Sequence, residues 1–317
     1  MRAVIASEPG GPEVLRVVER PEPSPAEGQL LIETTAAGVN RADVQQRLGV
    51  YPPPPGETDV LGLEVSGRVV GGDRDGEQVV ALLASGGYAE RVAVDAGLVL
   101  PVPAGIDPVD AAGLPEVAAT VHSNLGLEAG LRSGETVLIH GGAGGIGSFA
   151  IQYAAALGAR VITTAGGPEK ADYCRELGAD VVVDHRSEDF VERVKEEAGG
   201  ADVVLDVVGA AYLPRNLAAL ATGGRVVVIG LQKGRTGELD LATLMGKRAR
   251  IIGTTLRSRP LEEKRTIMAG VRERVWPLIE SGAIRVTTDR VFPLDEAAAA
   301  HARLDEGVHR GKVLLRA

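Results

Sequence analysis

The residues that most directly suggest chemistry are the glycines of Ile139-His140-Gly141-Gly142-Ala143-Gly144-Gly145-Ile146-Gly147. Positions 142, 144 and 147 spell G-x-G-x-x-G, a weak pattern by itself in a chain of 42 glycines. Its setting strengthens it, because an apolar run from Thr136 to His140 precedes it and a helix-like run from Gly145 to Gly158 follows. A strand, tight turn and helix in that order aim free backbone amides at phosphate oxygens. In this reading Gly142 permits the turn, Gly144 admits a pyrophosphate against the backbone, and Gly147 lets helix and strand approach, with Gly145 and Ile146 opening the helix. The expectation is a dinucleotide site.

Which dinucleotide is a question for the next strand. A sheet selective for NAD ends its second strand in Asp or Glu, which binds the ribose 2′-hydroxyl. Here Val161-Ile162-Thr163-Thr164 runs into Ala165-Gly166-Gly167, with no carboxylate at the tip. A 2′-phosphate is not repelled beside Gly166, Lys170 is near enough to attract it, and His185 and Arg186 end the third strand where they complete a pocket. Lys170 and Arg186 read equally as solvated helix and loop charges, and Glu169 stands where it can bend toward the ribose. The balance favours NADPH over NADH.

The elements that must position these groups alternate. From Glu135 onward, apolar runs at Thr136–His140, Arg160–Thr164, Asp180–Asp184, Asp202–Val208, Arg225–Ile229 and Arg250–Gly253 predict parallel strands buried on both faces. Helical patterns at Gly145–Gly158, Pro168–Gly178, Glu188–Ala198 and Leu213–Ala221 lie between them, which predicts a doubly wound six-stranded sheet of Rossmann type. The first third reads as β-rich, with runs at Gln29–Thr35, Glu64–Val70, Gln78–Leu83 and Tyr88–Val94, and a helix-like stretch follows at Ala111–Gly130. Pro52 to Pro55 cannot be helix or central strand and predict a stiff loop. After Pro260 a helical segment, Glu262–Ser281, leads to Arg285–Val291 and a last strand, Lys312–Leu315. That tail resembles the first third, so the predicted α/β fold is a discontinuous outer domain, residues 1–120 and 262–317, with the Rossmann domain, 121–261, inserted in it.

Composition narrows the partners. With 43 acidic against 34 basic residues the net charge is −9, and aromatics make up 3%. Such a surface repels polyanions and offers few stacking platforms, which argues against nucleic acid as a partner. The single cysteine, Cys174, excludes an intrachain disulfide and any cysteine-rich zinc site, and small buried packing is its expected role. Thr136 to Ala159 lacks Asp, Glu, Lys and Arg, yet its five closely spaced glycines favour strand, turn and helix over a membrane span. The N-terminus turns polar and Gly/Pro-rich too early for a signal peptide, so a cytoplasmic protein with no membrane partner is expected.

Along nearly its whole length the chain resembles the zinc-free medium-chain dehydrogenases/reductases, in particular the NADPH:quinone oxidoreductases of the ζ-crystallin-like group. The marks are Gly38-Val39-Asn40-Arg41-Ala42-Asp43, Gly49-Val50-Tyr51 with the proline run, Leu61-Gly62-Leu63-Glu64-Val65-Ser66-Gly67, the glycine turn, Asp206-Val207-Val208-Gly209, Thr255-Leu256-Arg257-Ser258-Arg259 and Gly311-Lys312-Val313. The resemblance implies a GroES-like outer domain. Zinc-dependent relatives carry Cys at the position of Asn40 and His at that of Leu63; without both, Glu64 alone cannot make a tetrahedral site. Without a Lewis acid the acceptor must stabilise its own negative charge, as a quinone or a conjugated carbonyl does.

By the same resemblance Asn40 orients the nicotinamide or the substrate oxygen, and Tyr51 lines the substrate site. As residues alone, Asn40 reads also as a turn residue and Tyr51 as a packing anchor for the proline loop. Gln45 stands where related reductases often have a second tyrosine. The resemblance further places Thr120, Val208, Leu231 and Leu256 about the nicotinamide and Lys312 on a cofactor phosphate, although Thr120 also suits a plain helix and the apolar three suit a core. Relatives commonly pair the last Rossmann strand across a homodimer, and Arg250–Gly253 is the corresponding open edge. The implied activity is NADPH-dependent hydride transfer to a quinone. An enone or enoyl-thioester reductase and a non-enzymatic NADPH-binding protein remain as alternatives.

Overall fold

Short, punctuated strands at the two ends of the chain and unbroken Val/Ile/Leu runs in its middle build two kinds of sheet. The computed structural model describes residues 1–317. It begins with an antiparallel pair, β1 (Arg2–Ala6) and β2 (Leu15–Glu19), followed by β3 (Gln29–Val39), β4 (Glu64–Val70), β5 (Gln78–Leu82), β6 (Arg91–Asp95) and β7 (Val99–Pro101). The middle supplies β8 (Thr136–Ile139), β9 (Arg160–Ala165), β10 (Val181–Asp184), β11 (Ala201–Asp206), β12 (Leu220–Val228) and β13 (Arg250–Gly253). The tail adds β14 (Thr288–Pro293) and β15 (Lys312–Arg316). Contacts divide the chain into an outer unit, Met1–Ala119 with Leu256–Ala317, and an inner unit, Thr120–Thr255.

In the inner unit the spatial order is β10-β9-β8-β11-β12-β13, and every neighbouring pair is parallel. The α/β fold with a doubly wound six-stranded parallel sheet is therefore as expected. Leu138, Ile162, Val183, Val204 and Val226 from the strands are buried together with Phe190, Val194 and Leu217 from the covering helices. Each such side chain removed from water stabilises the fold by about 1.5–3 kcal/mol. The strand order reverses between β8 and β11, and the crevice at such a reversal is where open α/β sheets bind ligands.

The outer sheet has the order β14-β15-β3-β4-β5-β7, with β6 also paired to β3. Two registers matter for chemistry. Val39 pairs with Val313 in β15, and Ala37 pairs with Val65 in β4. The ends of three strands distant in sequence thus meet around Asn40. No helix is long and apolar enough to cross a membrane.

Several expected elements are redrawn. Tyr88 lies outside β6, because its backbone N–H and C=O bond Leu61 and Val4 while its ring is buried. The helix expected over Glu262–Ser281 divides into Leu261–Arg274 and Trp276–Glu280, where Pro277 lacks the donor that continuity requires. The strand expected at Arg285–Val291 lies at Thr288–Pro293, paired in parallel with β15. The stretch Ala111–Gly130 holds helices Pro108–Ala111 and Pro115–Val121, then a wider i→i+5 helix over His122–Glu128.

Candidate functional site

The glycine turn lies after β8, at the reversal of strand order. Gly141, with φ +73°, adopts the left-handed conformation that makes the turn tight. The expectation put that role on Gly142; Gly142 instead serves close packing, since an added Cβ would lie 2.2 Å from Thr163 Oγ1 and 3.0 Å from Cys174 Sγ. Gly147 lets helix and turn approach, because a Cβ there would lie 2.2 Å from the Gly141 carbonyl oxygen. Gly144 is the extended residue preceding the helix Gly145–Ala156, whose first-turn amides, at Gly145, Ile146 and Gly147, have no acceptor within the helix. Those amides and the helix dipole suit an anion.

At the tip of β9 the bare backbone of Gly166 is flanked by two cationic or ionisable side chains. A Cβ on Gly166 would lie 3.0 Å from Arg186 Nε and 3.1 Å from His185 Nε2. Both are exposed, and Lys170 is on the first turn of the helix that follows, Pro168–Glu176. The carboxylate of Asp184 accepts the backbone N–H of Arg186 (3.1 Å) and of Gly167 (3.2 Å), and these bonds hold its pKa below the usual range. Its charge is directed at the backbone. The local donor set fits a 2′-phosphate better than a 2′-hydroxyl.

The outer unit gathers a different group. Asn40 precedes helix Arg41–Arg47, and the Asp43 carboxylate accepts the Asn40 backbone N–H at 2.8 Å, satisfying one donor of the helix start. The Asn40 side-chain amide donates from Nδ2 to Glu64 Oε1 (2.8 Å), and its Oδ1 accepts from Lys312 Nζ (2.6 Å). Lys312 Nζ also reaches Glu64 Oε1 at 2.6 Å, while Glu64 Oε2 accepts the N–H of Glu116 at 2.9 Å. Glu64 is fully buried and Lys312 nearly so. Gly38 makes room for this carboxylate, since a Cβ there would come within 2.1 Å of Glu64 Oε1.

Lys312 is therefore placed differently from expectation. Its ammonium is committed to Glu64 and Asn40 within the outer unit, because a fully buried carboxylate needs a neutralising partner. The same pair fixes which way the Asn40 amide faces. Asn40 is both a helix-start residue and a member of this cluster.

A buried relay supports it from behind. Arg47 donates to His301 Nδ1 (3.3 Å), so the proton of His301 is on Nε2, which faces the Tyr88 hydroxyl at 3.2 Å. Tyr88 in turn donates to Asp43 Oδ2 at 3.2 Å. Burial pushes His301 down to about 3 and Asp43 up to about 6. At the surface end Arg47 pairs with Asp305 at 2.8 Å.

Tyr51 is half-buried beside Arg257. The guanidinium carbon lies 5.3 Å from the ring centre, and Arg257 donates to the carbonyl of Tyr51 (3.2 Å) and to Gln46 Oε1 (2.6 Å). Burial raises the Tyr51 pKa. Leu256 is buried in the outer unit, whereas Thr120, Val208 and Leu231 belong to the inner one. Thr120 is buried and its carbonyl accepts from Asn124 Nδ2 at 2.8 Å. Leu231 is half-exposed on a cavity of about 300 Å³ with Val228, Arg235 and Ile251. Cys174 is buried, and its thiol is pushed up to about 12, which keeps it protonated.

Sequence reasoning did not pick out Asp43, Tyr88, His301 or Arg257 as parts of this cluster. A local signal was present for Asp43, since Asn40-Arg41-Ala42-Asp43 has the spacing of a helix-start capping box.

A Rossmann sheet with a glycine turn at its switch point, inserted in the sequence of a mainly antiparallel β unit, defines a dinucleotide-dependent oxidoreductase of the medium-chain type. Residues 26–104 match the alcohol dehydrogenase GroES-like domain, and residues 145–271 match the zinc-binding dehydrogenase domain. The chain is 33% identical to the quinone oxidoreductase of Homo sapiens over 99% of its own length and 97% of the human protein. It is 34% identical to quinone oxidoreductase 1 of Escherichia coli, over 96% of each chain. The structure of Escherichia coli quinone oxidoreductase complexed with NADPH superposes with a TM-score of 0.90 at 32% identity, covering 100% of both chains. The chain belongs to this family, the quinone oxidoreductases of the medium-chain dehydrogenases/reductases.

The residues present do not fit the zinc that one of the domain descriptions names. The Asn40 side-chain amide meets one carboxylate, Glu64, and one ammonium, Lys312, while Asp43 is turned to backbone N–H groups and Leu63 is apolar. An ammonium 2.6 Å from the carboxylate already supplies the positive charge there.

Proposed function

We propose that the protein is an NADPH:quinone oxidoreductase acting without a metal. Bound NADPH supplies a hydride from its nicotinamide ring. The first-turn amides from Gly145 to Gly147 receive the pyrophosphate, and Lys170, His185 and Arg186 receive the 2′-phosphate. Asn40, held by Glu64 and Lys312, orients the polar groups at the reacting end, and Tyr51 lines the acceptor's place. Orientation and exclusion of water are the main contributions of such a site, because the acceptor delocalises its own charge.

The observation that carries this reading is the Asn40–Glu64–Lys312 cluster, which has the charge of a cation site and no open coordination for a substrate alkoxide. An unactivated alcohol or ketone would need that coordination, whereas a quinone does not. The two relatives named above as quinone oxidoreductases support the same substrate class.

The test is nucleotide oxidation at 340 nm with 1,4-benzoquinone or 9,10-phenanthrenequinone, NADPH and NADH in parallel, with and without EDTA. Turnover with NADPH well above NADH and indifferent to EDTA is expected. Turnover confined to an α,β-unsaturated carbonyl would make the protein an enone reductase, and binding of NADPH with no turnover on any acceptor would remove the enzymatic reading.

We also propose a homodimer through β13, the strand at the open edge of the inner sheet, where Ile251 is exposed along with nearby apolar Leu241 and Met245. A sedimentation mass equal to one chain at micromolar concentration would overturn it.

A further inference from the structure

The glycine turn ends β8 and the Asp206 turn ends β11, the two strands that flank the reversal of strand order. A line of hydrogen bonds joins them, and its direction can be read at every atom. Asp206 Oδ1 accepts the backbone N–H of Val208 (2.6 Å) and Gly209 (3.1 Å). Its Oδ2 accepts from Asn216 Nδ2 at 3.0 Å, which orients that amide. The Asn216 carbonyl oxygen then faces His140 Nε2 at 2.8 Å, so Nε2 carries the imidazole proton. Nδ1 is left as an acceptor, and Thr164 Oγ1, 3.2 Å away, donates to it. The same hydroxyl oxygen accepts the N–H of Gly141 at 3.1 Å.

The ring is fixed as firmly as its nitrogens. His140 is 1% exposed and packs edge-on against Phe190 and Tyr212, with centroids 4.8 and 4.9 Å away. Burial lowers its pKa to about 4, in keeping with a neutral imidazole at pH 7.

We propose that His140 is a positioning residue for the dinucleotide, a neutral Nε2–H imidazole that ties the pyrophosphate turn to the Val208–Gly209 segment through Thr164, Asn216 and Asp206. The inference deepens the functional reading above and depends on it for the identity of the ligand. The relay withholds the Gly141 N–H from the phosphate and directs it inward. The Gly142 N–H is likewise committed, to the Thr164 carbonyl at 2.9 Å. Phosphate recognition is thereby left to the amides that open the helix. Because one carboxylate also holds Val208 and Gly209, both ends of the crevice share one anchor.

Two measurements test this. In 15N-histidine-labelled protein without nucleotide, the His140 signal, assigned by its absence in His140→Gln, is expected to show a protonated Nε2 and an unprotonated Nδ1. The opposite tautomer, or an imidazolium at pH 7, overturns the relay. In the second, NADPH is titrated by its fluorescence into Thr164→Val and Thr164→Ser. The valine variant is expected to bind about tenfold more weakly, because it removes both hydroxyl contacts, to His140 Nδ1 and from the Gly141 N–H. Its KM for NADPH should rise accordingly with kcat within about twofold, and serine should restore binding to within about twofold. A general packing defect would not be rescued by serine, which lacks the methyl group. Unchanged affinity in the valine variant overturns the relay while leaving the functional reading intact. No NADPH binding by the unaltered protein would overturn that reading and the relay's role with it.

Discussion

Each unit buries one histidine in a directed line of hydrogen bonds that ends on a buried aspartate, yet the two lines are built in different ways. In the inner unit His140, Thr164 and Asp206 lie at the ends of β8, β9 and β11, with Asn216 on the helix that follows β11. Adjacent parallel strands bring their ends together automatically, so an ordinary Rossmann order suffices to assemble the group. In the outer unit the line runs Arg47, His301, Tyr88 and Asp43, and the neighbouring cluster adds Asn40, Glu64 and Lys312. Those residues come from both ends of the chain: antiparallel register brings Asn40, Glu64 and Lys312 together, while two helices, Arg41–Arg47 and Ala297–Glu306, carry Asp43, Arg47 and His301. In the inner unit the strand order alone sets which ends are neighbours, whereas the Asn40–Glu64–Lys312 cluster depends on the register of particular strand pairs.

The sharpest way to break the contrast is Lys312→Met. It strands the buried Glu64 carboxylate, so unfolding free energy is expected to fall by about 3–5 kcal/mol, measured by urea denaturation. Lys312→Met combined with Glu64→Gln should recover most of that loss; if it does not, the ion pair is not what holds the cluster. Acid should strain both units at once. His140 and His301 have pKa values lowered to about 4 and about 3. Between pH 6.5 and 4 the unfolded chain therefore binds protons that the folded one refuses, and stability is lost as pH falls. Asp43, raised to about 6, acts in the opposite direction over part of that range. Two displaced imidazoles outweigh one carboxyl, so a net loss of a few kcal/mol is expected by pH 4, and a flat denaturation midpoint would contradict the buried neutral assignments.

Smaller effects separate the inner unit from the outer one. Gly147→Val forces a side chain into the Gly141 carbonyl and should weaken NADPH binding by about a hundredfold with the outer cluster unaffected, as a fluorescence titration would show. Arg186→Ala should lower the preference for NADPH over NADH by about tenfold in kcat/KM, through loss of one charge-assisted contact to the 2′-phosphate. If the preference is unchanged, Lys170 and His185 carry the discrimination.

Much of the inner unit was legible because its signals are local. A bare strand tip at Ala165-Gly166-Gly167 and a glycine turn between an apolar strand and a helix each lie within one short segment. Which glycine takes the positive φ was not legible, since Gly141 and Gly142 are adjacent and identical. Nor was the identity of the strand that contains Tyr88, because the burial of that ring is decided by Asp43 and His301 elsewhere in the chain.

By itself the sequence determined the sheet of the inner unit, the dinucleotide turn and the lack of thiolate and imidazole ligands at Asn40 and Leu63, because periodicity and residue type act over a few neighbouring positions. Only the tertiary structure decided where the polar side chains end. By resemblance Lys312, in the segment Gly311-Lys312-Val313, reads as a contact to a cofactor phosphate, but the pairing of β15 with β3 carries it beside Asn40, and the burial of Glu64 then demands its charge. The reason is physical: the energy of a buried ion depends on what surrounds it, and those surroundings come from strands hundreds of residues apart.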